Sequence, residues 1–176
     1  MDFTSDALYA MPLDDDLKGL DDKEYIRERV YVSKSGISGA GMGLFARRKI
    51  KKNEMIGEYV GEFLTKEQHE ERYPGDERSA YGVETELNDF IDASDVNESN
   101  QLRYANDMIS DRSKTNARIV GDRHEARVFF EASKDIEPDE EIFANYGDEY
   151  WMEGKKTEGS SIPPPVPDEW RKNYKK

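Results

Sequence analysis

The chain has 176 residues, no cysteine, two histidines and a net charge of −13, with 37% charged against 35% hydrophobic residues. That length holds one ordinary domain with flanks, and the missing cysteines exclude disulfides, thiolate zinc sites, iron–sulfur clusters and cysteine nucleophiles. Two histidines are too few for a histidine-rich metal site, and no apolar run approaches the roughly 18 residues of a membrane span. The acidic balance disfavours nucleic acid overall and attracts a cationic partner over about one Debye length, ~8 Å at physiological salt, although on charge alone plain solubility is the simpler reading.

Residues 1–24 are acidic, with Asp14-Asp15-Asp16 and Asp21-Asp22-Lys23-Glu24, and carry little periodicity. They read as a flexible N-terminal arm, and Met1–Asp6 lacks the basic start and apolar core of a signal peptide. Short strands follow. Arg29–Val32 alternates, then meets the small-residue loop Ser35–Gly41. Gly43–Ala46 and Met55–Val60 are strands separated by the turn Lys51–Glu54. Thr65 caps a helix over Lys66–Arg72, ended by Pro74-Gly75. Further strands are expected at Asp89–Asp92, Ala117–Val120 and Arg127–Ala132. The segment 152–176 contains a proline-rich linker, Gly159–Pro165, and a tail around Trp170 and Tyr174 that either docks or stays free. Strands this short and frequent predict a mainly β fold without a long parallel sheet.

Three clusters invite chemistry. Gly39-Ala40-Gly41-Met42-Gly43 lacks the Gly-Lys-Ser/Thr of a phosphate loop and precedes a strand, so it is a turn or a close backbone approach to a ligand. Arg103-Tyr104-Ala105-Asn106-Asp107, with Asn116 beyond it, and Glu140–Trp151, with Tyr146-Gly147 inside, each pass singly for turns. Arg47-Arg48-Lys49-Ile50-Lys51-Lys52 is a dense basic run, read as a solvated hairpin or as a patch for DNA.

Order and spacing change this. Gly41–Ala46 with Ile50, Glu58-Tyr59-Val60-Gly61-Glu62, Arg103–Asp107 with Asn116, and Arg127–Ala132 through Glu140-Glu141-Ile142 to Tyr146-Gly147 make residues 29–151 resemble a SET domain, the fold of protein lysine methyltransferases. The resemblance implies several short β-sheets with few short helices. It also implies a knot-like C-terminal threading of the Asn106 and Tyr146 segments, a rare exception to unthreaded chains. The domain organisation expected is an arm over 1–24, a SET domain over 25–151 and a C-terminal segment over 152–176.

The resemblance further implies S-adenosylmethionine as methyl donor, with no metal. Ala40, Gly41, Met42 and Gly43 would cradle the donor's amino-acid end, Asn106 would bind it by side chain, the Asp107 backbone would meet the adenine, and Tyr81 would add a contact. Tyr146 falls at the catalytic tyrosine and Tyr59 at a second hydroxyl of the lysine channel, with Tyr104 and Ala144 on the substrate side. Trp151 either closes the cofactor site or packs in the core. Asp107 replaces the family's usual histidine, Ala144 replaces a frequent aromatic and leans the product towards di- or trimethyl-lysine, and the cysteine-rich flanks of many members are missing. The activity implied is protein-lysine N-methylation, most simply of a histone tail or nucleosome, in the nucleus, with direct nucleic-acid binding left open. A catalytically weak SET-like interaction module and a methyltransferase for a non-histone lysine are the alternatives.

Overall fold

The computed structural model describes residues 19–74 and 79–146. The expectations for residues 1–18, Trp151, the proline-rich linker and the tail lie outside them.

The first element is the short helix α1 (Lys23–Arg29). The Asp22 side chain starts it by accepting from the backbone N–H groups of Glu24 at 2.7 Å and Tyr25 at 3.2 Å, satisfying donors a helix leaves open at its start. Ile26 is fully buried, and Leu20, just before the helix, packs against Phe129. The Leu20 carbonyl accepts from Glu58 N–H at 3.0 Å. Leu20, within the arm expected over residues 1–24, thus packs on the folded body.

Among the described residues nine short strands follow: β1 (Val30–Lys34), β2 (Met42–Ala46), β3 (Met55–Glu58), β4 (Glu62–Leu64), β5 (Gly82–Glu84), β6 (Phe90–Asp92), β7 (Ala117–Gly121), β8 (Val128–Ala132) and β9 (Glu141–Ile142). They form three antiparallel sheets, ordered β1-β2-β9, β3-β8-β7 and β4-β6-β5. The strands at Val30, Met42, Met55, Phe90, Ala117 and Val128 stand where the sequence puts them, on short apolar runs bounded by turn residues. The turn before β3 uses Asn53 at φ 67°, a left-handed conformation that asparagine tolerates. Helix α2 (Lys66–Arg72) also matches, with Thr65 and Gln68 forming a reciprocal capping box.

One apolar core joins the sheets, with Leu44, Ile50, Ile56, Leu102, Ile136, Ile142 and Ala144 fully buried. The final described segment threads through it. Ile142 pairs with Leu44, Phe143 bridges Asn106 in parallel, and Ala144 bridges Ala117. Ala144 N–H donates to the Asn106 carbonyl at 2.9 Å, and the N–H groups of Asn116 and Ala117 donate to the Phe143 carbonyl at 3.1 and 3.0 Å. The Asn116 side chain seals the passage: its nitrogen donates to the Glu141 carbonyl at 2.9 Å and its oxygen accepts from Phe143 N–H at 2.8 Å.

The β4-β6-β5 sheet is pinned by Asp92, which is 2% exposed. Its carboxylate accepts from Ser79 Oγ and Ser94 Oγ at 2.6 Å each, Tyr73 Oη at 2.7 Å and Ser94 N–H at 3.0 Å. Burial pushes this carboxyl up, but the hydrogen bonds of Ser79, Ser94 and Tyr73 more than offset it, so its pKa lies below the ordinary 3.8. A group depressed on folding stabilises the fold above its unfolded pKa and loses that contribution as pH falls through the folded value. Acid unfolding followed by circular dichroism should therefore show stability falling below pH 3.8, and Asp92→Asn should flatten that part of the curve. An unchanged acid limb in the variant would remove Asp92 from the account.

Candidate active site

Residues Arg103–Asp107 leave a one-turn 3-10 helix, Gln101–Tyr104, and run beside the threaded segment. The five residues fall into three groups by what they touch.

Asn106 holds the glycine loop. Its side-chain nitrogen donates to the Met42 carbonyl at 2.9 Å and to Glu141 Oε1 at 3.4 Å. Glu141 is buried beneath the same loop, accepting from Ser35 Oγ at 2.6 Å and Gly36 N–H at 2.8 Å. The loop closes on itself through Ser35 N–H to the Gly41 carbonyl at 2.9 Å. Gly41, at φ 74°, takes the left-handed backbone this requires. A Cβ at Gly43 would overlap the Glu141 carboxylate, so glycine there admits the carboxylate to the loop's underside.

Ala105 and Asp107 hold Tyr146. The Tyr146 hydroxyl donates to the Ala105 carbonyl, and Tyr146 N–H donates to Asp107 Oδ2 at 3.0 Å. Asp107 Oδ1 accepts from Arg112 Nη1 at 2.5 Å, and the same nitrogen reaches Asn145 Oδ1 at 3.0 Å.

Arg103 and Tyr104 belong to a third group. Arg103 is buried, with Nε donating to the Ala93 carbonyl at 2.8 Å and Nη2 to the Ser94 carbonyl at 3.2 Å. Its guanidinium lies 4.1 Å from the Tyr81 ring centroid and 5.2 Å from that of Tyr104, and Nη1 donates to Tyr104 Oη at 3.4 Å. Burial pushes both phenols up, more than the Arg103 charge pulls them down, so both stay neutral at physiological pH. Tyr59 is buried, stacked on Phe130 at 5.5 Å, and its hydroxyl donates to the Tyr81 carbonyl at 2.9 Å.

The structure thus brings Met42, Gly43, Asn106, Asp107, Tyr104, Ala144 and Tyr146 around one segment. Tyr59 and Tyr81 stand together behind Arg103. Ala40 and Gly41 ride on the glycine loop, and Ala144 is fully buried. Trp151 lies outside the described residues. Glu141, Ser35 and Arg112 are additions to the residues singled out from sequence. Glu141 stands in a recognisable segment, but its pairing with Ser35 spans 106 positions, which no local pattern reveals.

A family model for the SET domain matches residues 41–147. The chain belongs to the SET-domain family. A histone-lysine N-methyltransferase of Arabidopsis thaliana, MEDEA, is 29% identical over 133 residues, covering 73% of this chain and 19% of the relative. Histone-lysine N-methyltransferase EZH2 of Chaetomium thermophilum is 32% identical over 130 residues, covering 69% of this chain and 8% of the relative. The chain thus spans a fifth or less of these relatives' own lengths. Among solved structures, ctPRC2 in an autoinhibited conformation bound to S-adenosylmethionine superposes with a TM-score of 0.56 at 32% identity, over 69% of this chain and 15% of that one. The mainly β architecture of short sheets is that of the SET family.

The SET domain's described residues fit an S-adenosylmethionine group. Asn106 spends its amide nitrogen on Met42 and Glu141, while its side-chain oxygen accepts no hydrogen bond among the described residues. That oxygen is an acceptor for an ammonium. The neighbouring Gly39, at φ 85°, has no atom within 4 Å of a built Cβ, so the outer side of the loop is open.

The basic run behaves as a braced hairpin. Arg48 Nη2 lies 2.5 Å from Glu54 Oε1, and Lys49 Nζ lies 2.5 Å from Glu137 Oε1 and 3.5 Å from Asp135 Oδ2. Arg47 Nε donates to the Arg27 carbonyl at 2.8 Å. Three of its cations are spent inside the chain. Among the described residues, no helix is long and apolar enough to cross a membrane.

Proposed function

We propose that this SET domain is an S-adenosylmethionine-dependent protein-lysine N-methyltransferase acting on a histone lysine. The observation that carries the reading is the convergence on Arg103–Asp107 of a glycine loop held by Asn106 and a tyrosine held by Ala105 and Asp107. The named activities of MEDEA and EZH2, and the S-adenosylmethionine in the superposed complex, support it.

The glycine loop and the Asn106 oxygen would hold the donor, which supplies an activated methyl group on a cationic sulfur. The chain's residues then have two tasks: to align an amine for in-line attack and to keep it uncharged. A free lysine has a pKa near 10.4, so most of it is protonated at physiological pH. Tyr81, Tyr104 and Tyr59 would surround the amine with neutral, apolar-bodied side chains, which disfavours the ammonium form by desolvation. The buried Arg103 cation behind Tyr81 and Tyr104 adds like-charge repulsion. The Tyr146 hydroxyl, facing the Ala105 carbonyl, marks the polar end at which the amine would be oriented. Ala144 offers neither hydroxyl nor ring to hold a water against a methylated amine, which favours more than one methyl per lysine. A histone tail is the substrate class favoured by the net charge of −13 and by the relatives.

Transfer of radiolabelled methyl groups to core histones, recombinant nucleosomes and cell lysate tests this directly. Label on a histone lysine is the expected result. Label on other proteins only would replace the substrate, and donor binding without any transfer would sink the enzymatic reading. For Asn106→Ala, donor affinity by calorimetry should fall by about 1–3 kcal/mol, the cost of a lost polar contact at a partly buried site. Unchanged affinity in a folded variant would overturn the placement of the donor.

A further inference from the structure

We propose that Asp107, paired with Arg112, is a positioning residue that sets the place of Tyr146 and hence turnover; this rests on the lysine-methylation reading above. Asp107 stands where the family's usual residue is a histidine, and its carboxylate binds both Tyr146 and Arg112. Oδ2 accepts from Tyr146 N–H at 3.0 Å, across 39 positions of sequence. Oδ1 accepts from Arg112 Nη1 at 2.5 Å, with the Asp107 side chain 0% exposed and Arg112 34% exposed.

A fully buried carboxylate is costly unless paired and hydrogen-bonded. Arg112 meets that cost from the 3-10 segment Ile109–Lys114, kinked at Asp111, and, through Asn145 Oδ1 at 3.0 Å, also braces the residue before Tyr146. Tyr146 is therefore held at its backbone by Asp107 and at its hydroxyl by Ala105. Losing the backbone anchor frees the ring to swing about its hydroxyl contact. Misplacing an aligning group by about 1 Å costs on the order of a hundredfold in rate. A partner that acts only through Tyr146 should move kcat and leave donor binding alone.

The test compares Asp107→Ala, Arg112→Met, Arg112→Lys and the control Lys114→Ala, an exposed cation on the same segment. Each is assayed for kcat per folded molecule, donor Kd by calorimetry, and amide hydrogen exchange at Tyr146. Asp107→Ala should lower kcat about tenfold or more with donor Kd within about twofold, and should release the Tyr146 amide. Arg112→Met should lower kcat by less, Arg112→Lys should recover part of it, and Lys114→Ala should leave all three readings unchanged. If Asp107→Ala fails to fold, Arg112→Met carries the test, since its cation is partly at the surface. Wild-type turnover in Asp107→Ala and Arg112→Met, or a loss that follows donor Kd alone, overturns the proposal. So does a wild-type Tyr146 amide that exchanges like an unprotected one. That last reading is independent of catalysis, so a chain that transfers no methyl group but protects this amide would refute the function and not the clamp.

Discussion

Replacing Tyr146 with phenylalanine is expected to lower methyl transfer roughly ten- to a thousandfold while the fold survives, the scale of a lost aligning contact. The substitution removes one hydroxyl and keeps the ring, so no cavity opens in the core that Tyr146 packs against. Its hydroxyl donates to the Ala105 carbonyl, and losing that bond costs about 1 kcal/mol of stability. Tyr146 N–H stays on Asp107 Oδ2, so the backbone holds its course. A melting temperature near that of the parent, with collapsed kcat and an unmoved donor Kd, is the expected pattern. Full turnover in the variant would remove Tyr146 from the chemistry.

Gly61→Ala is expected to cost the most stability of any single methyl added to this chain's described glycines without left-handed backbone. A Cβ at Gly61 would lie 2.5 Å from the Asp92 carbonyl oxygen, 2.6 Å from its carbon and 2.8 Å from Ala93 N. All three are backbone atoms, so no side-chain rotation relieves the clash. The strand pair has to part instead, at the end where Glu62 of β4 faces Asp92 of β6. Overpacking of this kind costs about 1–3 kcal/mol when something yields, and more when backbone must. Its effect would spread, because Asp92 binds Ser79, Ser94 and Tyr73, and Ala93 receives Arg103 on its carbonyl. Urea titration should place the midpoint well below the parent's. A midpoint within error of the parent would mean that the two backbones do not approach this closely.

Much of the architecture was written locally. Val30-Tyr31-Val32 alternates β-branched and aromatic residues, and Val128-Phe129-Phe130 is a short run of the same types, so their strands follow from side chains that fit a pleated surface. Helix α2 announces itself through Thr65 and Gln68, whose mutual capping needs only a three-residue spacing. The motifs from Gly41 to Tyr146, read in order, identified the SET family without any contact being known. β4, β5 and β9 escaped notice because two or three residues carry no measurable period, and α1 because Ile26 is its one fully buried side chain.

By itself, then, the sequence determined the family, the mainly β class, the loop of small residues before β2 and the candidate residues Asn106, Asp107 and Tyr146. Tertiary structure alone decided how they act together. Glu141 reaches Ser35 and Gly36 from more than a hundred positions away, and Asp107 reaches Tyr146 and Arg112 at once. The Arg47–Lys52 run turned out to be braced by Glu54, Asp135 and Glu137. The physical reason is common to the first two. A buried polar or charged side chain takes whatever partner the fold brings within hydrogen-bond reach, and which partner that is depends on the threading of residues 141–146 between Leu44, Asn106 and Ala117, a property of the folded chain and of no local pattern.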